Sequence, residues 1–328
     1  MRGALERYAQ RRWYCGRRPG LLWRGLAGLY RLVLARRWQR PGGIPPCAVV
    51  VVGNLTVGGT GKTPVVAALA AALAAAGWKP AIVSRGYGGR GHGRPRCIGP
   101  DADPVEVGDE PAMLAALGGA PVWVCSQRRL ALEEALAAGA DVVIADDGLQ
   151  HAALPRSFEI LVIDGERGLG NGWLLPAGPL RSPPARLGQV DAVLLRGPVL
   201  RPDGPAGLPF KLEPTTLAEL GGQGRCAPDS LSGQAVSAVC GIGNPDQFAR
   251  QLEGLGMQVS LYPFPDHYRY RVDDLEALPR PIVTTAKDAV KLRRLEGVSA
   301  GIHVLEVRAV LPPELIARVL EHVREFAK

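Results

Sequence analysis

Residues 48–63 read Ala-Val-Val-Val-Val-Gly-Asn-Leu-Thr-Val-Gly-Gly-Thr-Gly-Lys-Thr, and this stretch decides the fold. The β-branched run at 49–52 is typical of a strand buried in a parallel sheet. A glycine-rich loop ending in Gly-Lys-Thr follows it, and the alanine-rich stretch at 65–76 predicts a helix. A strand, a glycine loop and a helix in this order form a phosphate-binding loop (P-loop), although Thr56 stands where the usual pattern has glycine.

The P-loop supplies each kind of group that a nucleoside triphosphate requires. Its glycines let backbone N–H groups face a phosphate, and the following helix adds its positive end. Lys62 can reach the β- and γ-phosphates, and the hydroxyl of Thr63 can bind Mg²⁺. The predicted nucleotide-binding residues are Thr56, Val57, Gly58, Gly59, Thr60, Gly61, Lys62 and Thr63. The sequence therefore predicts binding of ATP or GTP together with Mg²⁺.

Strand and helix patterns alternate along the rest of the chain. This alternation predicts an α/β fold, with a P-loop-type parallel sheet that carries helices on both faces and a smaller C-terminal α/β domain. We expect residues 41–200 to form the P-loop catalytic domain and residues 234–328 the smaller domain. Residues 201–233 are rich in proline and glycine and are predicted to be a linker.

Composition and charge narrow the class of partners. The chain has 328 residues, 39 Lys and Arg against 31 Asp and Glu, and a net charge of +8. This balance favours a nucleotide, a phosphorylated substrate or an acidic membrane surface as partner. No nucleic-acid-binding signature accompanies the charge, so nucleic acid is not expected as a partner. The six widely spaced cysteines, without a C-x-x-C pair, indicate reduced thiols of a cytoplasmic protein.

The first 40 residues predict a basic amphipathic helix. Leucines fall on one broad helical face between 21 and 34, arginines interleave with them, and Trp13, Tyr14 and Trp38 flank the segment. Such a helix suits an anionic membrane surface. The alternative is a helix that packs on the adjoining domain and leaves its arginines in solvent.

Two acidic pairs stand at the ends of predicted elements. Asp146 and Asp147 end a buried strand, where a carboxylate can hold Mg²⁺ beside Thr63; a turn with a helix cap is the alternative. Asp109 and Glu110 begin a helix, where acids stabilise the helix dipole. The functional interpretation of this second pair is a general base that accepts a proton from an attacking hydroxyl.

Further candidates are a histidine and three arginines. His267 lies in a Pro-Asp-His-Tyr loop after a predicted strand of the second unit, at the strand end where α/β sites form. Arg85, Arg128 and Arg181 offer positive charge to an anionic substrate, with solvated surface charge as the alternative.

Taken together, the motifs resemble one family, the tetraacyldisaccharide 4'-kinases of lipid A synthesis. The matching segments are residues 53–64, Ser84-Arg85-Gly86-Tyr87, Gly108-Asp109-Glu110-Pro111, residues 146–151, residues 170–172 and 175–181, residues 241–245, Phe264-Pro265-Asp266-His267 and Thr285-Ala286-Lys287-Asp288. Ser182-Pro183 depart from the Glu-Pro that often follows Pro-Leu-Arg in the family, so the partner of Arg181 is not predicted.

The resemblance implies transfer of the γ-phosphate of ATP to the 4'-hydroxyl of tetraacyldisaccharide 1-phosphate, with ATP and Mg²⁺ bound in a cleft. It assigns catalytic roles to Asp109 as base, to His267 as its partner and to Lys62. The implied acceptor is a lipid A precursor in the membrane, so we expect the protein to bind peripherally to the cytoplasmic face of the inner membrane. We expect it to be a monomer.

Two other classes fit parts of the sequence. A P-loop kinase of another anionic metabolite would use the same nucleotide site, but the N-terminal amphipathic segment argues against it. A regulatory or partitioning ATPase would use the glycine loop to switch a dimer. Such ATPases usually carry a lysine at the position of Val57, which weakens that interpretation.

Overall fold

The computed structural model describes residues 12–37, 43–91, 93–198, 205–298 and 300–327. Residues 1–11 and 38–40 of the predicted N-terminal unit, including Trp38, lie outside the described residues, as do residues 201–204 of the predicted linker.

The first half of the chain alternates between helices and strands. Its elements are α1 (Leu21–Arg37), β1 (Ala48–Gly53), α2 (Lys62–Ala75), β2 (Pro80–Ser84), β3 (Arg96–Ile98), α3 (Pro104–Val107), α4 (Asp109–Leu117), β4 (Val122–Val124), α5 (Arg128–Ala137), β5 (Val142–Asp146), β6 (Phe158–Asp164) and β7 (Ala192–Arg196).

The second half continues the alternation. Its elements are β8 (Leu208–Glu219), β9 (Arg225–Cys226), β10 (Ala235–Cys240), α6 (Pro245–Gly254), β11 (Gln258–Pro263), α7 (Asp273–Glu276), β12 (Ile282–Thr285), α8 (Ala286–Leu292), β13 (Ile302–Val310) and α9 (Pro313–Phe326).

Within the described residues, thirteen strands form one sheet in the order β11-β10-β12-β13-β8-β7-β6-β1-β5-β2-β4-β3, with β9 paired to β8. Strand β1 lies between β5 and β6 and runs parallel to both. The loop after β1 therefore leaves the sheet beside the carboxyl ends of two parallel strands, which is where α/β proteins build their sites.

Helices cover both faces of the sheet around β1. The four valines 49–52 are fully buried, and they alternate between two cores. Val50 and Val52 pack in the core that includes residues of α2 and α9, whereas Val49 and Val51 pack in the core that includes residues of α5 and α1. The predicted α/β fold, a largely parallel sheet with helices on both faces, is confirmed.

Strand β8 corrects the predicted linker. Its first residues pair with β7 in parallel, and residues 211–219 pair with β13 antiparallel. Pro214 sits at an irregularity of that ladder, a position where a missing N–H is tolerated. The composition of this stretch predicted a linker. Composition does not reveal the partner strand, which comes about 90 residues later in the chain.

Helix α1 packs on the first half through a narrow stripe. Ala27 and Leu34 are buried, and the hydroxyl of Tyr30 donates to the carbonyl of Arg181 at 3.4 Å. The large apolar side chains of the helix point away from the domain: Leu21, Leu22, Leu29 and Leu32 are 60–82% exposed. Among the residues that the structure describes, no helix combines the length and apolarity that crossing a bilayer requires.

Candidate active site

The P-loop connects β1 to α2 and is shaped by its glycines. Gly58 and Gly61 have φ angles of 99° and 91°, in the left-handed region that glycine adopts without strain. Hydrogen bonds fix the loop on both sides. Val57 N donates to the carbonyl of Pro179 at 2.9 Å, and the side-chain amide of Asn54 donates to the carbonyl of Gly58 at 3.2 Å. The loop therefore presents the N-terminus of α2 in a fixed orientation, ready for an anion.

Lys62, the first residue of α2, belongs to a buried charge network. Its side chain is 8% exposed, and its Nζ lies 3.5 Å from Oδ1 of Asp147. Arg181 binds the same carboxylate through both Nη atoms, at 2.7 and 2.8 Å. Asp147 is therefore the partner of Arg181, which the sequence did not predict. Burial alone would raise the pKa of Asp147, but the charges of Lys62 and Arg181 hold it far below its usual range.

Asp146 differs from its neighbour because neither of its carboxylate oxygens has a hydrogen-bond partner, although the residue is only 1% exposed. Burial, followed by the charge of Glu110, raises the pKa of this carboxyl group well above its usual range. Two buried, unpartnered oxygens at the carboxyl end of β5 suit a hard cation such as Mg²⁺, which prefers oxygen ligands. The donor set therefore fits the predicted metal site.

Arg128 supports the turn that carries both aspartates. Its Nη2 donates to the carbonyl of Asp146 at 3.0 Å and to that of Asp147 at 2.9 Å, and the residue is buried. Arg85, by contrast, is exposed just beyond the end of β2. Burial and the charges of Arg128, Arg156 and Arg85 lower the pKa of His151 to about 4. The region next to the two aspartates is therefore strongly basic.

The second acidic motif meets the predicted histidine across the cleft. Nδ1 of His267 lies 3.0 Å from Oδ2 of Asp109, and Nζ of Lys291 lies 3.5 Å from the same oxygen. The ring of Tyr87 packs edge-on against His267, with 5.6 Å between centroids. Gly108 brings the start of α4 close to this point, since a Cβ there would lie 2.5 Å from the carbonyl of Tyr87. The structure thus brings the two predicted residues into direct contact.

Asp109 is surrounded by positive groups from the second half. Burial alone would raise its pKa, but the hydrogen bond with His267 and the charges of Lys291 and Lys287 hold the pKa below its usual value. The carboxylate is therefore ionised at neutral pH and is able to accept a proton.

A cavity of about 500 Å³ separates the P-loop from the second half. It is lined on one side by residues 59–64 and Glu110, and on the other by parts of β8, β13, α6 and the start of α8. Gly243 closes one end, because a Cβ on it would lie 2.6 Å from the backbone nitrogen of Gly59. The volume falls in the range of small-molecule sites, and the P-loop forms one wall of it.

Sequence reasoning missed several residues of this site. Arg196 lines the cavity and is anchored by Asp164, with its Nη2 2.5 Å from Oδ2. Asn244 donates to the same carboxylate oxygen at 3.3 Å. Arg196 ends β7 outside the matching motifs, whereas Asn244 lies in the matching segment 241–245 but was not assigned a role there. Lys291 had a signal, since it stands four residues after Lys287 and therefore on the same helix face.

This arrangement defines a class of protein. A P-loop with its lysine, a buried carboxylate suited to a metal, and an ionised carboxylate paired with an imidazole are the parts of a P-loop phosphotransferase, a kinase.

Comparison with known proteins identifies the family. A model of the Tetraacyldisaccharide-1-P 4'-kinase family matches residues 20–324. A tetraacyldisaccharide 4'-kinase of Alkalilimnicola ehrlichii is 48% identical over 290 residues, covering 88% of this chain and 86% of that protein. One of Dechloromonas aromatica is 43% identical over 338 residues, covering 98% of each. A crystal structure of "apo" form LpxK from Aquifex aeolicus in complex with ATP is 27% identical with a TM-score of 0.69, covering 98% of this chain and 99% of that chain.

The chain belongs to the tetraacyldisaccharide 4'-kinase family. The resemblance seen in the motifs is thereby confirmed.

Proposed function

We propose that this chain transfers the γ-phosphate of ATP to the 4'-hydroxyl of tetraacyldisaccharide 1-phosphate, using Asp109 as the base. The observation that carries the proposal is the contact between Asp109 and His267 at the edge of a P-loop cleft, in a chain of this family. In the proposed step the acceptor O–H bond breaks and its proton moves to Asp109. A new O–P bond forms as the bond between the γ-phosphorus and the ADP oxygen breaks.

The P-loop would hold the triphosphate. Lys62 lies at the start of α2, where it can neutralise charge on the transferred phosphate, and residues 56–63 supply the surrounding N–H groups. Arg196 adds a cation on the same cavity wall, since its Nη1 would lie 3.6 Å from a Cβ on Gly61. We infer that the rest of the nucleotide occupies the cavity between the P-loop and β8.

Asp146 and Thr63 are the proposed ligands of Mg²⁺. Asp146 offers two unpartnered oxygens, and Thr63 lines the nucleotide cavity. When bound there, the ion would neutralise charge on the phosphates. Asp147 was predicted as a ligand as well, but its carboxylate is engaged by Arg181 and Lys62. We therefore propose that Asp147 positions these two cations.

The predicted substrate arginines take different roles in this proposal. Arg85 is exposed two residues before Tyr87, whose ring packs against His267, so it is available to an anionic acceptor. Arg128 donates to the backbone of the aspartate turn and Arg181 to Asp147. We propose that these two support the site and that Arg85 contacts the lipid substrate.

Helix α1 is the proposed membrane-docking element. Its exposed leucines and arginines form a basic apolar surface, which suits an anionic bilayer. We propose peripheral binding to the cytoplasmic face of the inner membrane, as a monomer because one chain supplies all the site residues. We also propose that residues 1–40 form the docking unit, residues 41–200 the catalytic domain and residues 234–328 the smaller domain, whose last helix, α9, packs in the core around β1.

The test is transfer of radiolabelled phosphate from ATP to tetraacyldisaccharide 1-phosphate in detergent micelles, with Lys62→Ala as the inactive control. Labelled lipid with the wild type alone supports the proposal. Transfer only to a soluble metabolite, without need for detergent, would favour the kinase alternative. An ATP-dependent dimer without lipid phosphorylation, seen by size measurement, would favour the partitioning ATPase.

A further inference from the structure

Lys291 occupies an unusual position behind the proposed base. It lies on α8 with its side chain 9% exposed, and its Nζ is 3.5 Å from Oδ2 of Asp109. The same Nζ lies 2.9 Å from Oδ1 of Asp288 and 5.2 Å from the ring centre of Tyr270. A lysine buried this deeply requires paired charge, and here it is shared between two carboxylates.

One of these carboxylates is fixed by other contacts. Asp288 is fully buried, and its Oδ2 accepts hydrogen bonds from Gly241 N at 2.9 Å and from the Thr285 hydroxyl at 2.8 Å. Its Oδ1 is the oxygen nearest Lys291. Asp288 therefore binds the ammonium group of Lys291. Asp109 is the second carboxylate that this group contacts.

The contacts on Asp109 are one-sided. Both His267 and Lys291 approach Oδ2, which leaves Oδ1 for an acceptor hydroxyl. Both partners belong to the second half of the chain, whereas Asp109 begins α4 in the first half. The carboxylate is therefore in contact with two groups that both come from the other half of the chain.

We infer that Lys291 is a positioning residue for Asp109: with its ammonium group beside Asp288, it contacts Oδ2 of Asp109 and so directs Oδ1 toward the acceptor hydroxyl. This inference rests on the proposed function of Asp109. The neighbouring Lys287 has a parallel task, because its Nζ lies 2.7 Å from Oδ1 of Asp266, the residue before His267. One face of α8 thus fixes both members of the proposed pair.

The test compares Lys291→Met and Lys291→Arg in the lipid kinase assay on the full chain. Misorienting a catalytic group costs up to about 10²-fold, so we expect Lys291→Met to lower kcat by about 10- to 100-fold and to leave the KM for ATP near that of the wild type. Lys291→Arg keeps a cation and should recover most of kcat. Arg293→Met removes an exposed charge from the end of the same helix and should keep wild-type kcat.

Two outcomes overturn the inference: wild-type kcat in Lys291→Met, or a raised KM for ATP at unchanged kcat. If Lys291→Met does not fold, as judged by its Tm, Lys291→Gln replaces it with the same expectations. Asp109→Asn separates the two claims. Wild-type kcat in Asp109→Asn would refute the proposed base, whereas a large loss there with normal Lys291→Met activity would refute the role of Lys291 alone.

Discussion

The two acidic pairs of the site are built in opposite ways. Asp146 and Asp147 draw their partners from the first half of the chain: Arg128 on α5, Lys62 on α2 and Arg181 in the loop before β7. Asp109 also lies in the first half, yet the two side chains that contact its carboxylate, His267 and Lys291, come from the second half. The charged contacts of the first pair thus come from one half of the chain, whereas those of Asp109 join the two halves.

This difference has a consequence for catalysis. In the proposed mechanism, Asp109 keeps its contacts with His267 and Lys291 only while the two halves are together. Closure also excludes water, which competes with the acceptor hydroxyl for the γ-phosphate.

The largest expected effect belongs to the base. Asp109→Asn should lower kcat by about 10²–10⁴-fold, the range typical of a general base, and leave the KM for ATP close to that of the wild type. Steady-state kinetics at varied ATP measures both. Glu106→Gln, in an exposed ion pair nearby, serves as control. If Asp109→Asn lost ATP affinity but kept kcat, the residue would be a nucleotide ligand.

The lysine of the P-loop comes next. Lys62→Ala should lower transfer by at least about 10²-fold, because it removes a cation that stabilises charge on the transferred phosphate. Its effect should appear equally in lipid phosphorylation and in any ATP hydrolysis, since the same γ-phosphate is transferred in both reactions. Wild-type-like turnover in Lys62→Ala would refute the P-loop assignment.

The sequence predicts the features that lie close together in the chain better than the contacts that join the two halves. Strand β1, its glycine loop and the acidic pair after β5 are local patterns, and the structure has them where they were expected. The contact of Asp109 with His267 joins residues 158 positions apart, and the family resemblance, rather than any local pattern, brought them together. The proline- and glycine-rich stretch that contains β8 is stabilised by β13, a partner that composition does not reveal. Arg196 was missed for a similar reason, because its contact with Asp164 joins the ends of two separate strands, and the contact of Lys291 with Asp109 joins residues from the two halves.

A smaller effect is expected from the ion pair on the nucleotide side. Arg181→Ala would remove the side chain that binds both oxygens of the partly buried Asp147, which should lower the free energy of unfolding by about 2–3 kcal/mol. Arg308→Ala, which breaks an exposed pair with Glu213, should cost less than about 1 kcal/mol. Denaturant unfolding compares the two variants. Equal losses would show that Asp147 does not depend on Arg181.

The smallest expected effect concerns pH. The folded state lowers the pKa of His151 from 6.5 to about 4, so the unfolded chain binds the proton more readily between these values. Stability should therefore fall as pH drops from 6.5 toward 4. Partial exposure reduces the contribution of His151 to about 1–2 kcal/mol. His151→Gln should flatten this part of the stability curve, and an unchanged curve would contradict the assignment.

The central claim, that Asp109 and a partner from the other half act as one unit, is tested most directly by a double-mutant cycle. We would measure kcat at saturating ATP for Asp109→Asn, His267→Ala and the double variant. Residues that act together lose their function with the first substitution, so the double variant should be within about threefold of the more damaged single one. Losses that multiply in the double variant would show that His267 acts independently of Asp109 and would contradict the account.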